Sequence, residues 1–212
     1  MSEASVSYWE EMYRQPLEAL PWEIKEPPRE LQDYFTENPV NGGAALDVGC
    51  GTGNFSFYLA RLGFDVTAVD FSKHALAIGR ETNQELRLPV YFKRADVTRL
   101  LPAIQGRQFD FVLDYKLLHH LPDEQAADYA TQFPKLLASA GRLLLVCYAD
   151  KDKPDQPFRA GKFGNVMYYR SAEQIREFYS GLREVSYREV TVGKRLNHVA
   201  HCFVFENTKP NN

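Results

Sequence analysis

The stretch ALDVGCGTGNFSFYLA, residues 45–60, decides the fold. An apolar run that ends in Asp47 is followed by Gly49, Gly51 and Gly53, and then by apolar residues at helical spacing. Glycine permits positive φ and lets a ligand approach the backbone. The pattern therefore predicts a buried strand, a tight turn and a helix, with the turn as a candidate ligand cradle. The turn alone leaves open whether it holds a dinucleotide, a nucleoside or only its own backbone.

Strand and helix patterns alternate along the rest of the chain. Predicted strands cover residues 44–48, 65–69, 89–93, 109–113, 143–148, 184–192 and 199–206. The helix patterns include residues 54–62, 123–139 with a split at Pro134, and 171–180. This alternation favours an α/β fold in which helices cover both faces of a largely parallel sheet. The last two predicted strands follow each other closely and are expected to pair as a hairpin.

Composition and charge narrow the class of protein. The chain has 212 residues, 44% hydrophobic and 25% charged, and a net charge of -3. The sequence contains no basic tract of the kind that predicts binding to nucleic acid or to a membrane surface. The chain has three cysteines, which lie far apart in the sequence: Cys50, Cys147 and Cys202. Their odd number and wide spacing predict neither a disulfide framework nor a metal site. With no signal-peptide pattern or membrane-length apolar run, we expect a cytoplasmic protein, either a monomer or a weak homodimer.

Acidic residues follow successive predicted strands, where open α/β sheets bind their ligands. Asp70, after the second strand, is suited either to the two hydroxyls of a ribose or to capping the next helix. Asp96, after the third strand, could accept from an adenine amino group, with Phe71 and Val97 on the two faces of the ring. These acidic residues favour a nucleoside as the ligand, a distinction that the glycines alone do not make.

The spacing of the glycines argues against a dinucleotide. The third glycine comes one position early for the dinucleotide fingerprint, and Asp47 would repel a pyrophosphate. A sulfonium nucleoside that carries an ammonium group would tolerate that acid. Asp114 and Tyr115 follow the fourth strand, close to where the reactive end of such a ligand is expected, although Asp114 could equally cap the next turn.

As a set, these motifs resemble those of the class I S-adenosylmethionine-dependent methyltransferases. ALDVGCGTG at 45–53 is similar to the first motif of that superfamily, VTAVDFS at 66–72 to the second, RADVTRL at 94–100 to the third and FDFVLDYKLLHHLP at 109–122 to the fourth. The resemblance implies a Rossmann-like seven-stranded sheet in the order 3-2-1-4-5-7-6 with strand 7 antiparallel. It also implies S-adenosyl-L-methionine as the cofactor, bound by the glycine turn and by the residues Asp47, Asp70, Phe71, Asp96, Val97 and Tyr115.

The N-terminal segment resembles a narrower group, the thiopurine, thiol and halide methyltransferases. YWEEMY at 8–13 and PW at 21–22 are similar to the segment that closes over the cofactor there, which implies cofactor contacts by Trp9, Tyr13 and Trp22. The LLHHLP segment departs from that group. We expect a helical cover at 1–40, a methyltransferase domain at 41–206 and a frayed polar tail at 207–212. The Pro- and Gly-rich loop at 149–167 is a candidate acceptor lid.

Methyl transfer requires alignment of acceptor, methyl and sulfur more than it requires dedicated chemistry. A thiol needs little help to ionise, whereas an alcohol or phenol needs a positioned base, for which Asp114, His119 and His120 are candidates. We expect a small acceptor, preferably a thiol, selenium or halide species. The alternatives are oxygen or nitrogen methylation of a metabolite or protein side chain, a non-catalytic S-adenosylmethionine sensor, and a nicotinamide-dependent oxidoreductase.

Overall fold

The computed structural model describes residues 3–149, 157–160, 165–192 and 198–209, with side chains at 7–149, 166–192 and 198–209. The helices are α1 Glu3–Met12, α2 Arg29–Glu37, α3 Asn54–Arg61, α4 Lys73–Leu86, α5 Leu100–Ile104, α6 Asp123–Ala130, α7 Phe133–Leu136 and α8 Ala172–Phe178. The strands are β1 Gly43–Val48, β2 Phe64–Asp70, β3 Val90–Arg94, β4 Phe109–Tyr115, β5 Leu137–Tyr148, β6 Pro157–Ala160, β7 Asn165–Tyr168, β8 Arg183–Val192 and β9 His198–Glu206. Short 3₁₀ turns occur at Leu17–Ala19, Val97–Arg99 and Leu118–His120.

Seven strands form one sheet in the order β3-β2-β1-β4-β5-β9-β8. The pairs β1–β2, β2–β3 and β4–β5 are parallel, whereas β9 is antiparallel to both of its neighbours, β5 and β8. β8 and β9 are the sixth and seventh strands of this sheet along the chain. The predicted α/β class, strand order and reversed last strand are therefore confirmed.

Two helix starts are fixed by their capping bonds. The Ser72 hydroxyl accepts a hydrogen bond from the Ala75 amide at 3.2 Å at the start of α4. Ser171 and Gln174 form the two reciprocal bonds of a capping box at the start of α8. Each cap satisfies helix amides that have no partner within the helix.

The C-terminal elements correct two predictions. The helix predicted over 123–139 breaks after α6 and ends at Leu136, because the chain then enters β5, where Leu137 pairs with Phe109 of β4. The tail predicted to fray at 207 is fixed there: Asn207 is 2% exposed, and its side-chain amide donates to the Leu137 carbonyl at 2.9 Å. The backbone amide of Asn207 also donates to the Gly141 carbonyl at 3.0 Å, so Asn207 holds the first part of β5.

The segment predicted as a loop at 149–167 contains two strands. β6 and β7 pair as an antiparallel hairpin, with Phe158 opposite Met167. The rest of the candidate lid lies outside the described residues. No helix among the described residues is long and apolar enough to cross a membrane.

The chain divides into two compact units, residues 2–97 and 98–212. The N-terminal unit contains α1 to α4 and β1 to β3, so the predicted cover at 1–40 belongs to the same unit as the glycine turn. The last four residues of its β1 are buried, as is every residue of β2 except Asp65. The C-terminal unit is built on β4, β5 and β9, and its core includes fully buried aromatic residues, among them Phe109, Phe133 and Phe203.

Candidate active site

The glycine turn after β1 is fastened to the end of β2. The Gly49 amide donates to the Val69 carbonyl at 2.8 Å, and the Gly51 amide donates to Asp70 Oδ2 at 3.0 Å. Gly51 has φ +55°, and a Cβ built on it would lie 2.6 Å from the Tyr13 hydroxyl. Both the backbone conformation and the close approach of Tyr13 require glycine here. The turn predicted from the sequence is therefore present and is closed on one side by the N-terminal segment.

Asp70 organises the strand ends of the N-terminal unit. Its second oxygen, Oδ1, accepts from the Ser72 amide at 2.9 Å, and the side chain is 7% exposed. Burial raises the pKa of the Asp70 carboxyl, although the amides of Ser72 and Gly51 oppose the shift. Each carboxylate oxygen can accept more than one hydrogen bond. Asp70 thus shapes the turn while it remains able to accept from ribose hydroxyls.

Asp47 lies beneath the turn. It is 3% exposed, and its Oδ2 accepts from the Ser56 hydroxyl in α3 at 2.6 Å. This bond anchors the first turn of α3 to the end of β1. The predicted cofactor contact of Asp47 stays a prediction.

The predicted aromatic cover is assembled within the N-terminal unit. The rings of Trp9 and Trp22 meet edge to face with centroids 5.0 Å apart, and Tyr13 lies 6.5 Å from Trp9 and 6.4 Å from Trp22. Trp9 and Trp22 pack against a buried cluster that includes Met12 and Tyr13. Trp9, Tyr13 and Trp22 are therefore brought together, with Tyr13 against the turn at Gly51.

Two glutamates that sequence reasoning missed attach this cover to the core of its unit. Glu23 accepts from the Thr52 hydroxyl and the Asn54 side-chain amide, both at 2.5 Å, and so ties the PWE segment to the glycine turn. Glu10 accepts from the Lys73 amide at 2.9 Å and contacts His74 Nδ1 at 2.7 Å at the start of α4. Glu10 lies within the quoted motif YWEEMY and Glu23 directly follows the quoted PW, but acidic residues on an amphipathic segment ordinarily face solvent.

Asp96, Phe71 and Val97 follow β2 and β3 in the same unit. The Asp70 carbonyl accepts from the Ala95 amide at 3.0 Å, which draws the segment after β3 towards the end of β2. Phe71 and Asp96 are partly exposed, whereas Val97 is buried at 1% exposure. These positions agree with an adenine site but do not test it.

Asp114, predicted as a catalytic residue, is fully buried in the C-terminal unit at the end of β4. Its Oδ1 accepts from the amides of Leu117 and Leu118 at 3.0 and 3.4 Å, and its Oδ2 accepts from the Tyr129 hydroxyl at 3.0 Å. Burial raises the pKa of its carboxyl to about 7 against the effect of these bonds. The geometry is that of a carboxylate that caps the following turn, the alternative that the sequence left open.

The 3₁₀ turn Leu118–His120 carries the two candidate histidines. His119 is 1% exposed and stacks on Tyr148, at the end of β5, with centroids 4.3 Å apart and an interplanar angle of 26°. Its Nδ1 is buried and has no hydrogen-bond partner among the described residues. Tyr115, the last residue of β4, is partly exposed.

The histidines are poor bases in this environment. Burial is the main cause that holds the pKa of His119 well below its usual range, and the positive charge of Lys116 adds to it. Burial and Lys116 lower the pKa of His120 to about 3. Both imidazoles are therefore neutral at physiological pH.

Arg170, which sequence reasoning missed, fixes the same turn. The side chain is 1% exposed, and its guanidinium donates to the carbonyls of Leu118 at 3.0 Å and Leu121 at 2.6 Å. It also pairs with Asp123 at 2.9 Å. An isolated arginine between β7 and α8 carries no local signal of burial, because arginine is usually exposed.

Comparison with known proteins agrees with this arrangement. Residues 45–141 match the model of a family described as a methyltransferase domain. The matched region and the relatives together support a class I S-adenosylmethionine-dependent methyltransferase. A ubiquinone biosynthesis O-methyltransferase of Alkalilimnicola ehrlichii is 36% identical to it over 100 residues, which cover 46% of this chain and 40% of that relative. The chain thus matches less than half the length of this curated relative.

Solved structures share the fold of the methyltransferase domain over nearly the whole chain. The 1,6-didemethyltoxoflavin-N1-methyltransferase of Burkholderia thailandensis, with bound 1,6-didemethyltoxoflavin and S-adenosylhomocysteine, has a TM-score of 0.79 at 19% identity, covering 97% of this chain and 89% of that one. A structure from work on the conversion of a disulfide bond into a thioacetal group during echinomycin biosynthesis has a TM-score of 0.78 at 23% identity, covering 95% and 91%. At these identities the likeness establishes the fold.

The methyltransferase match confirms the predicted superfamily and the cofactor class, S-adenosylmethionine. It disfavours the nicotinamide-dependent alternative. The narrower resemblance to thiopurine, thiol and halide methyltransferases stays a prediction.

Proposed function

We propose that this protein transfers the methyl group of S-adenosylmethionine to a small acceptor with a soft nucleophilic atom, of the thiol, selenium or halide type. The observation that carries the proposal is the state of the groups at the ends of β4 and β5. Asp114 is occupied by two amides and a tyrosine hydroxyl, and His119 and His120 are weak bases. Because these groups are weak proton acceptors, the site suits an acceptor that ionises easily or is already an anion. An aliphatic alcohol, which needs a strong base to ionise, would react poorly there.

We assign the cofactor to the N-terminal unit. Asp70 would accept from the ribose hydroxyls and Asp96 from the adenine amino group, with Phe71 and Val97 against the ring. The turn at Gly49, Gly51 and Gly53, with Asp47 beneath it, would hold the methionine portion. The aromatic rings of Trp9, Tyr13 and Trp22 suit a sulfonium, because a cation is attracted to the face of an aromatic ring.

Oxygen methylation is the second candidate. It is favoured by the name of the relatives that match 46–53% of this chain, ubiquinone biosynthesis O-methyltransferase. A phenol is the oxygen acceptor that the weak bases of this site would serve best, because it is far more acidic than an alcohol. Likeness to the structure from echinomycin work, which concerns sulfur chemistry, is in keeping with the first candidate.

The test is release of S-adenosylhomocysteine from the purified protein across an acceptor panel. The panel contains methanethiol, hydrosulfide, iodide, a thiopurine, a catechol and a carboxylic acid. We expect turnover on the sulfur or iodide members. Turnover on the catechol alone would establish the oxygen alternative, and cofactor binding without turnover on any member would favour a sensor.

The cofactor assignment is tested separately by calorimetric titration with S-adenosylhomocysteine. Asp70→Asn should weaken binding by about 2 kcal/mol, since it removes the charge that receives the ribose hydroxyls. Asp65→Asn is the matched control, because Asp65 is an exposed residue of the same strand. Equal affinity of the two variants would show that the ribose lies elsewhere.

A further inference from the structure

Lys116 lies at the centre of an aromatic and histidine cluster at the end of β4. Its Nζ is 5.3 Å from the ring centroid of Tyr115 and 5.8 Å from that of Tyr148. Tyr148 in turn stacks on His119 and lies 5.0 Å from His198, the first residue of β9. The cluster therefore joins β4, β5, β9 and the turn after β4 around one ammonium group.

The backbone at Lys116 is held in an unusual conformation. Its φ is +68°, in the left-handed region that residues other than glycine and asparagine seldom adopt. The Lys116 amide donates to the Val146 carbonyl at 2.8 Å, which fixes this conformation against β5. Strained positions of this kind tend to occur at functional sites. The conformation directs the chain sharply from β4 into the histidine turn.

The Lys116 ammonium acts on all three histidines of the cluster. Besides burial, its charge lowers the pKa of His119, His120 and His198. Arg170, buried behind the turn, adds to the effect at His119. Burial is the largest cause at each histidine, and it also raises the pKa of the Tyr148 hydroxyl in the same cluster to about 12. The positive charge of Lys116 acts on an acid in the opposite direction, because it favours the anionic form of an acid bound beside it.

We propose that Lys116 is the acceptor-binding cation and that it receives the acceptor as an anion: a thiolate, hydrosulfide, halide or acidic phenolate. This inference rests on the proposed methyl transfer and narrows its acceptor class. A thiol acceptor loses its proton to solvent on binding. The thiolate electron pair then forms the new bond to the methyl carbon, the methyl–sulfonium bond breaks, and its electrons neutralise the sulfonium to give S-adenosylhomocysteine. No base and no further reactant is needed.

The test compares three variants. Lys116→Asn removes the charge and tolerates positive φ, and Lys116→Arg keeps the charge. Lys135→Asn makes the same charge change at an exposed residue of α7. Each is assayed with thiophenol and with 2-mercaptoethanol over a pH series, alongside calorimetric binding of S-adenosylhomocysteine.

We expect Lys116→Asn to move the acidic limb of kcat for 2-mercaptoethanol, which reports the pKa of the bound thiol, upward by about one pH unit, a roughly tenfold loss on that limb. At neutral pH and above, thiophenol is already ionised, so there it should show a change in KM without a change in kcat. Lys116→Arg and Lys135→Asn should keep the original profile, and cofactor affinity should be the same in all variants. An unchanged profile in Lys116→Asn would overturn the proposal.

Two further measurements do not depend on enzymatic turnover. In Lys116→Asn, the pKa of His198 measured by NMR should rise towards its ordinary value. Binding to the wild-type protein should lower the pKa of 4-nitrophenol, whose anion is yellow, and Lys116→Asn should abolish this effect. If both pKa changes are observed while no acceptor is methylated, the anion site is supported and the proposed methyl transfer is wrong. If binding to the wild-type protein leaves the pKa of 4-nitrophenol unchanged, the proposed anion site is wrong.

Discussion

The buried guanidinium of Arg170 donates to the carbonyl oxygen of Leu118 at 3.0 Å, 52 residues away in the chain. A second bond, to the Leu121 carbonyl, places the other end of the histidine turn under the same side chain. Asp114 holds the amides of that turn, and Arg170 holds its carbonyls. A short turn that lacks the repeating bonds of a helix thus obtains a fixed geometry from two charged side chains.

Arg170→Lys should destabilise the protein by about 3 kcal/mol, because lysine keeps the charge but cannot reach both carbonyls from one planar group. Urea unfolding followed by circular dichroism measures the effect. Arg176→Lys, at a partly exposed arginine that pairs with Glu173 and Glu184, is the control and should cost less than about 1 kcal/mol. Equal costs at the two positions would mean that the turn does not depend on Arg170.

The buried carboxyl of Asp114 predicts a pH dependence of stability. Its folded pKa of about 7 is raised above that of an unfolded aspartate, so between about pH 4 and about pH 7 the folded state holds a proton that the unfolded state has released. Stability should therefore fall with rising pH in this window, by up to about 1.4 kcal/mol per pH unit. Asp114→Asn removes this contribution. Urea unfolding across the window should show a shallower slope in the variant, and parallel curves would contradict the raised pKa.

Gly51 and Tyr13 should behave as a coupled pair. Gly51→Ala places a Cβ 2.6 Å from the Tyr13 hydroxyl at a φ of +55°, so it should cost about 1–3 kcal/mol and weaken S-adenosylhomocysteine binding. Tyr13→Phe removes the clashing oxygen and should recover part of that loss in the double variant. The double-mutant cycle is measured by thermal unfolding and by calorimetry. Strict additivity would show that the cover does not press on the turn.

Glu10 should link the cover to α4 in a pH-dependent way. Although burial opposes it, hydrogen bonds from His74, Lys73 and Ser72 lower the pKa of Glu10 to about 2. The stabilisation is therefore present above the unfolded pKa of about 4 and is lost as the pH falls towards 2. Glu10→Ala should cost about 1 kcal/mol at neutral pH, as for loss of a helix cap. Glu11→Ala, which loses an exposed pair with Arg14, serves as the control and should leave thermal stability nearly unchanged.

The order along the chain of the seven strands in the main sheet was predictable because local patterns specify it. The apolar runs that end in Asp47, Asp70 and Asp114 predicted β1, β2 and β4, and the glycines after Asp47 predicted a turn that is now fixed by backbone bonds. Periodicity and turn chemistry act over a few residues, so they can be read from one sequence. The same holds for the caps at Ser72 and Ser171.

Only the tertiary structure decided which side chains meet. Asp114 could have faced the ligand or capped the next turn, and the choice depends on Tyr129, 15 residues further along the chain. Arg170, Glu23 and Asn207 act on partners at least 29 residues away, through bonds that no local pattern encodes. The sequence by itself determined the strand–turn–helix units and the class of cofactor. Burial and long-range hydrogen bonds decided the role of each charged residue, because the cost of an unpaired buried charge is settled only when the chain is folded.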